Sequence, residues 1–284
     1  MAFNDLQGKV ISQAAVDAVH AEIAPVALFA HSYNPDVEGQ YGKAVAVPTT
    51  NLSVAGEFDA ATNNYAGDDE FDGALVNLDK HFVKSLRISD ANLAYTGIAF
   101  ARDAGTAVGK SIGRACNKHA IETAVGTSLS AEWTITSKQG IVGLTKIALD
   151  NDLPINGTVA IVSPAAWTAI MDYIGEYQVY GAGAMMQDGI ARNVMGFKAV
   201  LPSTYLGSNV KGVLIAESAL GTVSQYLPPV FADGAVVRKV VDDDNGFVLT
   251  LREFNDLNTG YGYVAGTTLF GAKLIDPNGA VKLV

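Results

Sequence analysis

Hydrophobic and polar positions change period along the chain. In "LQGKVISQAAVDAVHAEI" (residues 6–23), Ile11, Ala15, Val19 and Ile23 recur every fourth residue with Ala14 and Ala18 beside them, which predicts a helix. Pro25 ends it, and "VALFAHSYNPDVEGQYG" reads as extended or irregular chain. Residues 41–89 are β-like at both ends, in "YGKAVAVP" and "ALVNLDKHFVKSLRISD". Between those legs, "TTNLSVAGEFDAATNNYAGDDEFDG" carries Glu57, Asp59, Asp68, Asp69, Glu70 and Asp72 among Asn, Gly and Thr. A tip this long is unusual inside a compact domain. No second apolar layer is evident nearby, so the hairpin is expected to bury itself on a neighbouring molecule.

After Asp90 the period returns to helical. Phe100, Ala104, Val108, Ile112, Cys116, Ala120 and Ala124 recur at every fourth residue, while Asp103, Thr106, Lys110, Arg114, Asn117 and Glu122 fall largely off that stripe. Asp90 suits an N-cap and Gly126 lies near the end. About 35 residues at ~1.5 Å each make a rod near 50 Å, longer than a compact domain is wide. Gly97, Ala101, Gly105, Gly109 and Gly113 form a second row at the same spacing. Glycine inside a helix costs about 1 kcal/mol relative to alanine. Either another backbone lies against that row, or the helix simply tolerates the glycines.

Within this helix, "DAGTAVGKSIGR" (residues 103–114) holds Ala104, Gly109, Lys110 and Ser111, a relaxed nucleotide-binding P-loop. A P-loop wraps phosphate with free backbone N–H groups on a loop after a strand. These residues keep the helical period, and "LAYTGIAFARD" before them does not read as a strand. "KIALD" (residues 146–150), a possible Walker B strand, continues the helical pattern of "SKQGIVGLTKIALDN".

Residues 153–225 read as an α/β unit. "GTVAIVS" is a buried strand, and Ser163 and Pro164 then open a helix, "PAAWTAIMDYIG", stopped by Gly175. "GIARNVMGFKAVLPS" predicts two strands around Met195 and Gly196, and "KGVLIAES" a third; "EYQVYGAGAMMQDG" is a Gly-, Met- and Tyr-rich loop suited to adaptable contacts. The last sixty or so residues are β: "AVVRKVVDDDNGFVLTLREF" reads as a hairpin about Asn245–Gly246, and "GAKLIDPNGAVKLV" as another about residues 277–279.

Composition narrows the chemistry. Apolar residues make up 49% of the 284 and charged residues only 17%, below the roughly 25% usual for soluble proteins. A folded chain this poor in charge tends to cover its surface, most simply with copies of itself. The formal net charge of -10 disfavours non-specific binding to nucleic acid or anionic membrane. The single cysteine, Cys116, excludes an internal disulfide framework. His20, His31, His81 and His119 show no ligand spacing. Asp242, Asp243, Asp244, Asn245 and Gly246 lack the D-x-D-x-D-G order of a calcium loop, and a turn explains them better. The letters G-x-S-x-G occur at Gly109–Gly113 but keep the helical period, so no nucleophile elbow is read there, and no acid–base carboxylate pair can be assigned. No signal peptide is read at the N-terminus, and the longest apolar run, "IAPVALFA", is too short to span a bilayer. No catalytic, cofactor-binding or metal residue is therefore nominated.

The order of these parts resembles the major capsid proteins of tailed bacteriophages with the Hong Kong 97 fold. The most specific stretch is "VAIVSPAAWTAIMDYIG", then "GIARNVMGFKAVLPSTYLG" and "KGVLIAES", which is similar to the family's axial domain; "LFGAKLIDPNGAVKLV" is similar to its C-terminal peripheral strand. The resemblance implies an α+β capsid fold. Residues 1–40 would be an N-terminal arm and 41–89 an extended loop lying over an adjacent subunit. Residues 90–139 would carry the spine helix of a peripheral domain. Residues 140–225 would form an axial domain whose loop 177–189 meets its copies at fivefold and sixfold axes, and 226–284 the returning peripheral strands.

By the same resemblance, the chain would be a structural protein and not an enzyme, without cofactor. It would assemble with itself, as pentamers and hexamers, into an icosahedral shell enclosing phage DNA without sequence-specific binding. Scaffolding, portal and decoration proteins would be its partners, with no membrane involved. It would assemble in the bacterial cytoplasm and reside in the virion. Because the chain starts at the arm, scaffolding would be separate or the form already mature. Some members crosslink a loop lysine to a neighbour's asparagine; Lys43, Lys80 and Lys84 are loop lysines here and Asn255 and Asn258 distal asparagines, but no local motif supports the transfer, and it is not carried over. The alternatives are an encapsulin nanocompartment shell and a P-loop NTPase; a β-rich adhesin or tail component fits the long helix and the α/β unit poorly.

Overall fold

Both four-residue stripes fold as helices. A computed structural model describes residues 5–33, 44–50, 71–135, 138–176, 186–187, 190–194, 196–217, 219–227, 235–256 and 261–284. Helix α1 (Asp5–Ile23) ends before Pro25, and a single 3-10 turn (Val26–Leu28) leads into β1 (Ala30–Ser32). Strands β2 (Ala44–Thr50) and β3 (Phe71–Asn77) pair along their whole length. Leu78 and Asp79 then interrupt the strand, and β4 (Lys80–Ser89) runs straight into α2 (Asp90–Val125), whose 36 residues span about 54 Å. Asp90 is the first helical residue. At the other end the Gly126 N–H donates to the carbonyls of Glu122 and Thr123, each at 3.1 Å.

Next come β5 (Ser130–Ala131), α3 (Lys138–Asp150), β6 (Thr158–Val162) and α4 (Pro164–Glu176). The Ser163 carbonyl accepts from the Trp167 N–H at 2.8 Å and its Oγ from Ala166 at 3.4 Å, which caps α4 as expected. The helix runs one residue past Gly175, which therefore does not stop it. After it come β7 (Met186–Gln187), β8 (Ile190–Val194), β9 (Phe197–Pro202), β10 (Gly212–Ala216) and β11 (Leu220–Gln225). The chain closes with β12 (Val236–Asp242), β13 (Phe247–Asp256), β14 (Tyr261–Leu274) and β15 (Ala280–Leu283). Gly196 (φ +84°) and Gly246 (φ +61°) supply the left-handed turns of the β8–β9 and β12–β13 hairpins.

The strands form two main sheets. One has the order β1-β11-β14-β13-β12, with β4 also paired to β14; the other has the order β5-β15-β10-β6-β9-β8-β7. Helix α2 lies across the first sheet, and the methyl groups of Val108 and Ile112 press on Gly266 of β14. Beside it, α1 crosses at Gly105, Gly109 and Gly113, with the Ile11 carbonyl against Gly105. A neighbouring backbone therefore accounts for the glycine row. Ile11, Ala15, Val19 and Ile23 are buried there together with Ala104, Val108, Ile112, Cys116, Ala120 and Ala124. The expected N-terminal arm is thus packed along α2 over its helical part. In the second sheet β6 and β10 are buried at every position, as continuous apolar strands require.

Two sequence readings are corrected. The turn at 277–279 does not close a hairpin: β14 pairs with β11, β13 and β4 of the first sheet, whereas β15 pairs with β10 and β5 of the second. The partner strand makes the same change, β10 lying in the second sheet and β11 in the first. Two chain crossings therefore run side by side, stitched by Ala216 N–H to the Gly279 carbonyl (2.8 Å) and Ile275 N–H to the Ala219 carbonyl (2.7 Å). The local turn chemistry was right and the pairing was long-range, which local sequence does not encode.

The second correction concerns the extended hairpin, whose base has a core of its own. Val47 and Val76 are fully buried with Val223 and Leu78, and Tyr33, Leu269 and Ile275 pack against them. The backbone at Asn77 rests directly on Gly271.

Candidate functional site

The P-loop-like residues Ala104, Gly109, Lys110 and Ser111 occupy the middle of α2, where successive N–H groups are committed to helical hydrogen bonds. Lys110 Nζ lies 4.0 Å from Glu22 Oε1, and Arg114 Nε donates to the same oxygen at 3.1 Å, so these cations brace α1. The Walker-B-like residues 146–150 belong to α3. Neither half of the nucleotide motif has the geometry that phosphate binding needs.

The four histidines are placed separately. His81 Nε2 meets Thr267 Oγ1 at 2.7 Å, and His31 stands edge-on to Tyr33 at 4.5 Å. His119 is edged against Phe82 and Phe270, with Asp79 Oδ1 3.8 Å from Nε2. Burial lowers its pKa, only partly offset by Asp79. His20, in the last turn of α1, reaches across the chain to the β12–β13 turn. Its Nδ1 lies 3.1 and 3.2 Å from the two oxygens of buried Asp242, and Asn245 Nδ2 donates to Asp242 Oδ2 at 2.9 Å. His20, Asp242 and Asp244 offer ligand atoms within 4.8 Å of one another, a gathering that a separation of over two hundred residues hides from sequence reading. Asp242 is already engaged by His20 and Asn245, so the cluster as it stands is a clamp between α1 and the hairpin.

A second charged group is more deeply buried. On β13, Phe247, Leu249, Leu251 and Glu253 alternate towards the helices, and Glu253 is only 5% exposed. Arg238 Nε is 3.5 Å from Glu253 Oε1, and the Arg238 guanidinium lies over Gly8 of α1. Desolvation raises the Glu253 pKa, and Arg238 only partly counters it. The alternation Phe-x-Leu-x-Leu-x-Glu was the signal that could have placed this carboxylate inside. Cys116 is buried on α2, and burial pushes its thiol pKa upward.

Several expected contact elements fall outside the described residues: the acidic tip 51–70, most of the loop 177–189, Lys43 and Asn258. Lys80 pairs with Asp79 at 3.3 Å, and Lys84 is exposed. Among the described residues, no helix is long and apolar enough to cross a membrane. Large apolar side chains stand exposed on several elements: Leu75 on β3, Val83 on β4, Val142 and Leu149 on α3, and Phe254, stacked on Tyr263 at 5.1 Å.

No protein-family model and no curated protein matches the sequence. Solved structures do. The capsid structure of the cyanophage P-SCSP1u superposes with a TM-score of 0.55 at 15% identity, covering 89% of this chain and 85% of that one. A chain from Mycobacterium phage Che8 gives a TM-score of 0.53 at 18% identity, over 85% and 84%. A virus-like particle from Pyrococcus furiosus gives a TM-score of 0.51 at 10% identity, over 96% and 97%. At these identities the likeness establishes the fold alone, a mixed α+β fold shared with these chains.

Proposed function

We propose that this protein is a structural subunit that self-assembles into a closed icosahedral shell, the capsid of a tailed bacteriophage enclosing its genomic DNA. The observation that carries the proposal is end-to-end: the fold shared with a cyanophage capsid chain extends over 89% of this chain and 85% of the other. Exposed Leu75, Val83, Val142, Leu149 and Phe254 in a chain with only 17% charged residues suit a surface that copies cover.

In this reading α2 is the spine of a peripheral domain, the second sheet with α4 is the axial domain, and the hairpin from β2 and β3 reaches over a neighbour. Pentamers and hexamers of this chain, scaffolding and portal proteins, and a decoration protein are the partners. Assembly takes place in the host cytoplasm, and the protein resides in the virion without enzymatic activity. Negative-stain electron microscopy and light scattering of the purified protein test this. Closed particles tens of nanometres across are expected; a persistent monomer, even with its scaffold coexpressed, sinks the reading.

The alternative, a protein-filled nanocompartment shell, is compatible with the match to the Pyrococcus furiosus virus-like particle, but that match does not favour it over a capsid. The absorbance ratio at 260 and 280 nm of purified particles separates nucleic acid from protein cargo.

A further inference from the structure

His20, Asp242 and Asn245 bring three polar atoms into mutual contact. His20 Nδ1 lies 3.2 Å from Asp242 Oδ2, that oxygen lies 2.9 Å from Asn245 Nδ2, and Asn245 Nδ2 lies 3.1 Å from His20 Nδ1. Hydrogen bonds cannot satisfy all three edges. A protonated Nδ1 donates to the carboxylate but then faces the Asn245 amide as a second donor. An unprotonated Nδ1 accepts from the amide but turns its lone pair on the carboxylate. Turning the amide over, which exchanges its nitrogen and oxygen, sets oxygen against oxygen instead. Every proton placement leaves one edge unfavourable, and Asp242 is only 5% exposed, so its carboxylate has little water to turn to.

A cation removes the conflict, because all three groups can then direct a lone pair at one centre. The spacing suits it: donors roughly 2.0–2.2 Å from a zinc ion stand about 3.0 Å apart at right angles and about 3.4 Å apart in a tetrahedron. A fourth donor is at hand. Asp244, exposed on the β12–β13 turn, places a carboxylate oxygen within 4.8 Å of the His20 and Asp242 ligand atoms.

We propose that His20 Nδ1, one oxygen each of Asp242 and Asp244, and the amide oxygen of Asn245 bind a divalent transition cation of the zinc type. Imidazole suits zinc better than magnesium or calcium, and the two carboxylates balance the ion's charge. His20 Nε2 keeps the ring proton. The ion takes the place of the hydrogen-bonded clamp and joins the last turn of α1 to the β12–β13 turn. Occupancy therefore fastens α1 to the first sheet and raises the unfolding temperature. The site does not depend on whether the chain forms a shell.

Titration calorimetry of the chelator-treated full-length protein with zinc chloride tests the proposal, with magnesium chloride as the control. The expected result is saturable uptake of one zinc per chain, none of magnesium at the same concentration, and an unfolding temperature that climbs with zinc. Asp244→Ala removes the one ligand outside the three-atom contact. It is expected to leave the metal-free unfolding temperature unchanged and to weaken zinc binding at least tenfold, since even partners behind a ligand are worth about ten- to a hundredfold. His20→Ala weakens it at least as much. The proposal is overturned if the wild type takes up no stoichiometric zinc, if magnesium binds as well as zinc, or if folded Asp244→Ala or folded His20→Ala binds zinc as tightly as the wild type. Asp244 is exposed on a turn, so its variant decides the matter even where His20→Ala fails to fold.

Discussion

A Cβ placed on Gly109 would come within 3.0 Å of the Cα of Ala15 and closer still to its carbonyl oxygen, because α1 crosses α2 backbone to backbone at this point. Glycine to alanine in a helix ordinarily stabilises by about 0.5–1 kcal/mol. Here the obstructing atoms are main chain and cannot rotate away. Gly105→Ala and Gly109→Ala are therefore expected to destabilise by about 1–3 kcal/mol or more. Gly143→Ala, on α3 with nothing within 4 Å of the added carbon, is expected to stabilise. Denaturant midpoints of the three variants check the contrast; equal signs across them would falsify the close-crossing account.

The clamp between His20 and Asp242 is expected to behave as a unit with Asn245. Asp242 is 5% exposed and holds both partners, whereas His20 is 43% exposed, so the ion-pair part is screened. Removing Asn245 leaves a buried carboxylate oxygen short of a donor, about 1–3 kcal/mol. Once Asp242 is gone that loss disappears. A double-mutant cycle of Asp242→Ala and Asn245→Ala should therefore be non-additive, and additive losses would show the two side chains to be independent.

Much of the architecture was legible because local rules govern it. The four-residue stripes became α1 and α2, the Ser163–Pro164 start opened α4, and the Asn245–Gly246 turn closed β12 on β13. What sequence reading missed depended on partners distant along the chain. "GAKLIDPNGAVKLV" contains a sound turn, yet β15 joins β10 and β14 joins β11, because the crossing at 216–219 runs beside it. The hairpin's own core needs Val223 and Leu269, far from Val47 and Val76. His20 and Asp242 lie at opposite ends of the sequence.

Glu253 gives stability a definite pH dependence. Its folded pKa lies above the unfolded value because desolvation outweighs the attraction of Arg238. The native state therefore holds the proton more tightly, and its advantage is present below the unfolded pKa and fades as pH rises through the folded one. Glu253→Gln carries no charge at any pH. Its stability relative to wild type should rise between pH 4 and pH 8, whatever the constant offset from losing the Arg238 pair. Denaturant midpoints across that range measure it, and a flat or falling difference would contradict the raised pKa.

Lys110 offers a check on the nucleotide reading. Its side chain is 51% exposed and its Nζ lies 4.0 Å from Glu22, which Arg114 already holds. Lys110→Ala is expected to change stability by under about 1 kcal/mol. ATP with magnesium should shift the unfolding temperature of neither wild type nor variant. A nucleotide-dependent rise that Lys110→Ala removes would restore the P-loop.

Cys116 can report on the innermost packing of α2. The thiol is 1% exposed, and burial raises its pKa, so little thiolate forms at neutral pH and reagents find no path to it. Alkylation by iodoacetamide should proceed only as the helix pair opens, at a rate that follows denaturant concentration. Gly109→Ala, which forces α1 away from α2, should accelerate labelling in native buffer by at least tenfold if the crossing opens by the expected ~1.4 kcal/mol or more. Rapid alkylation of the untouched wild-type protein would show instead that the α1–α2 layer breathes independently of the sheets beneath it.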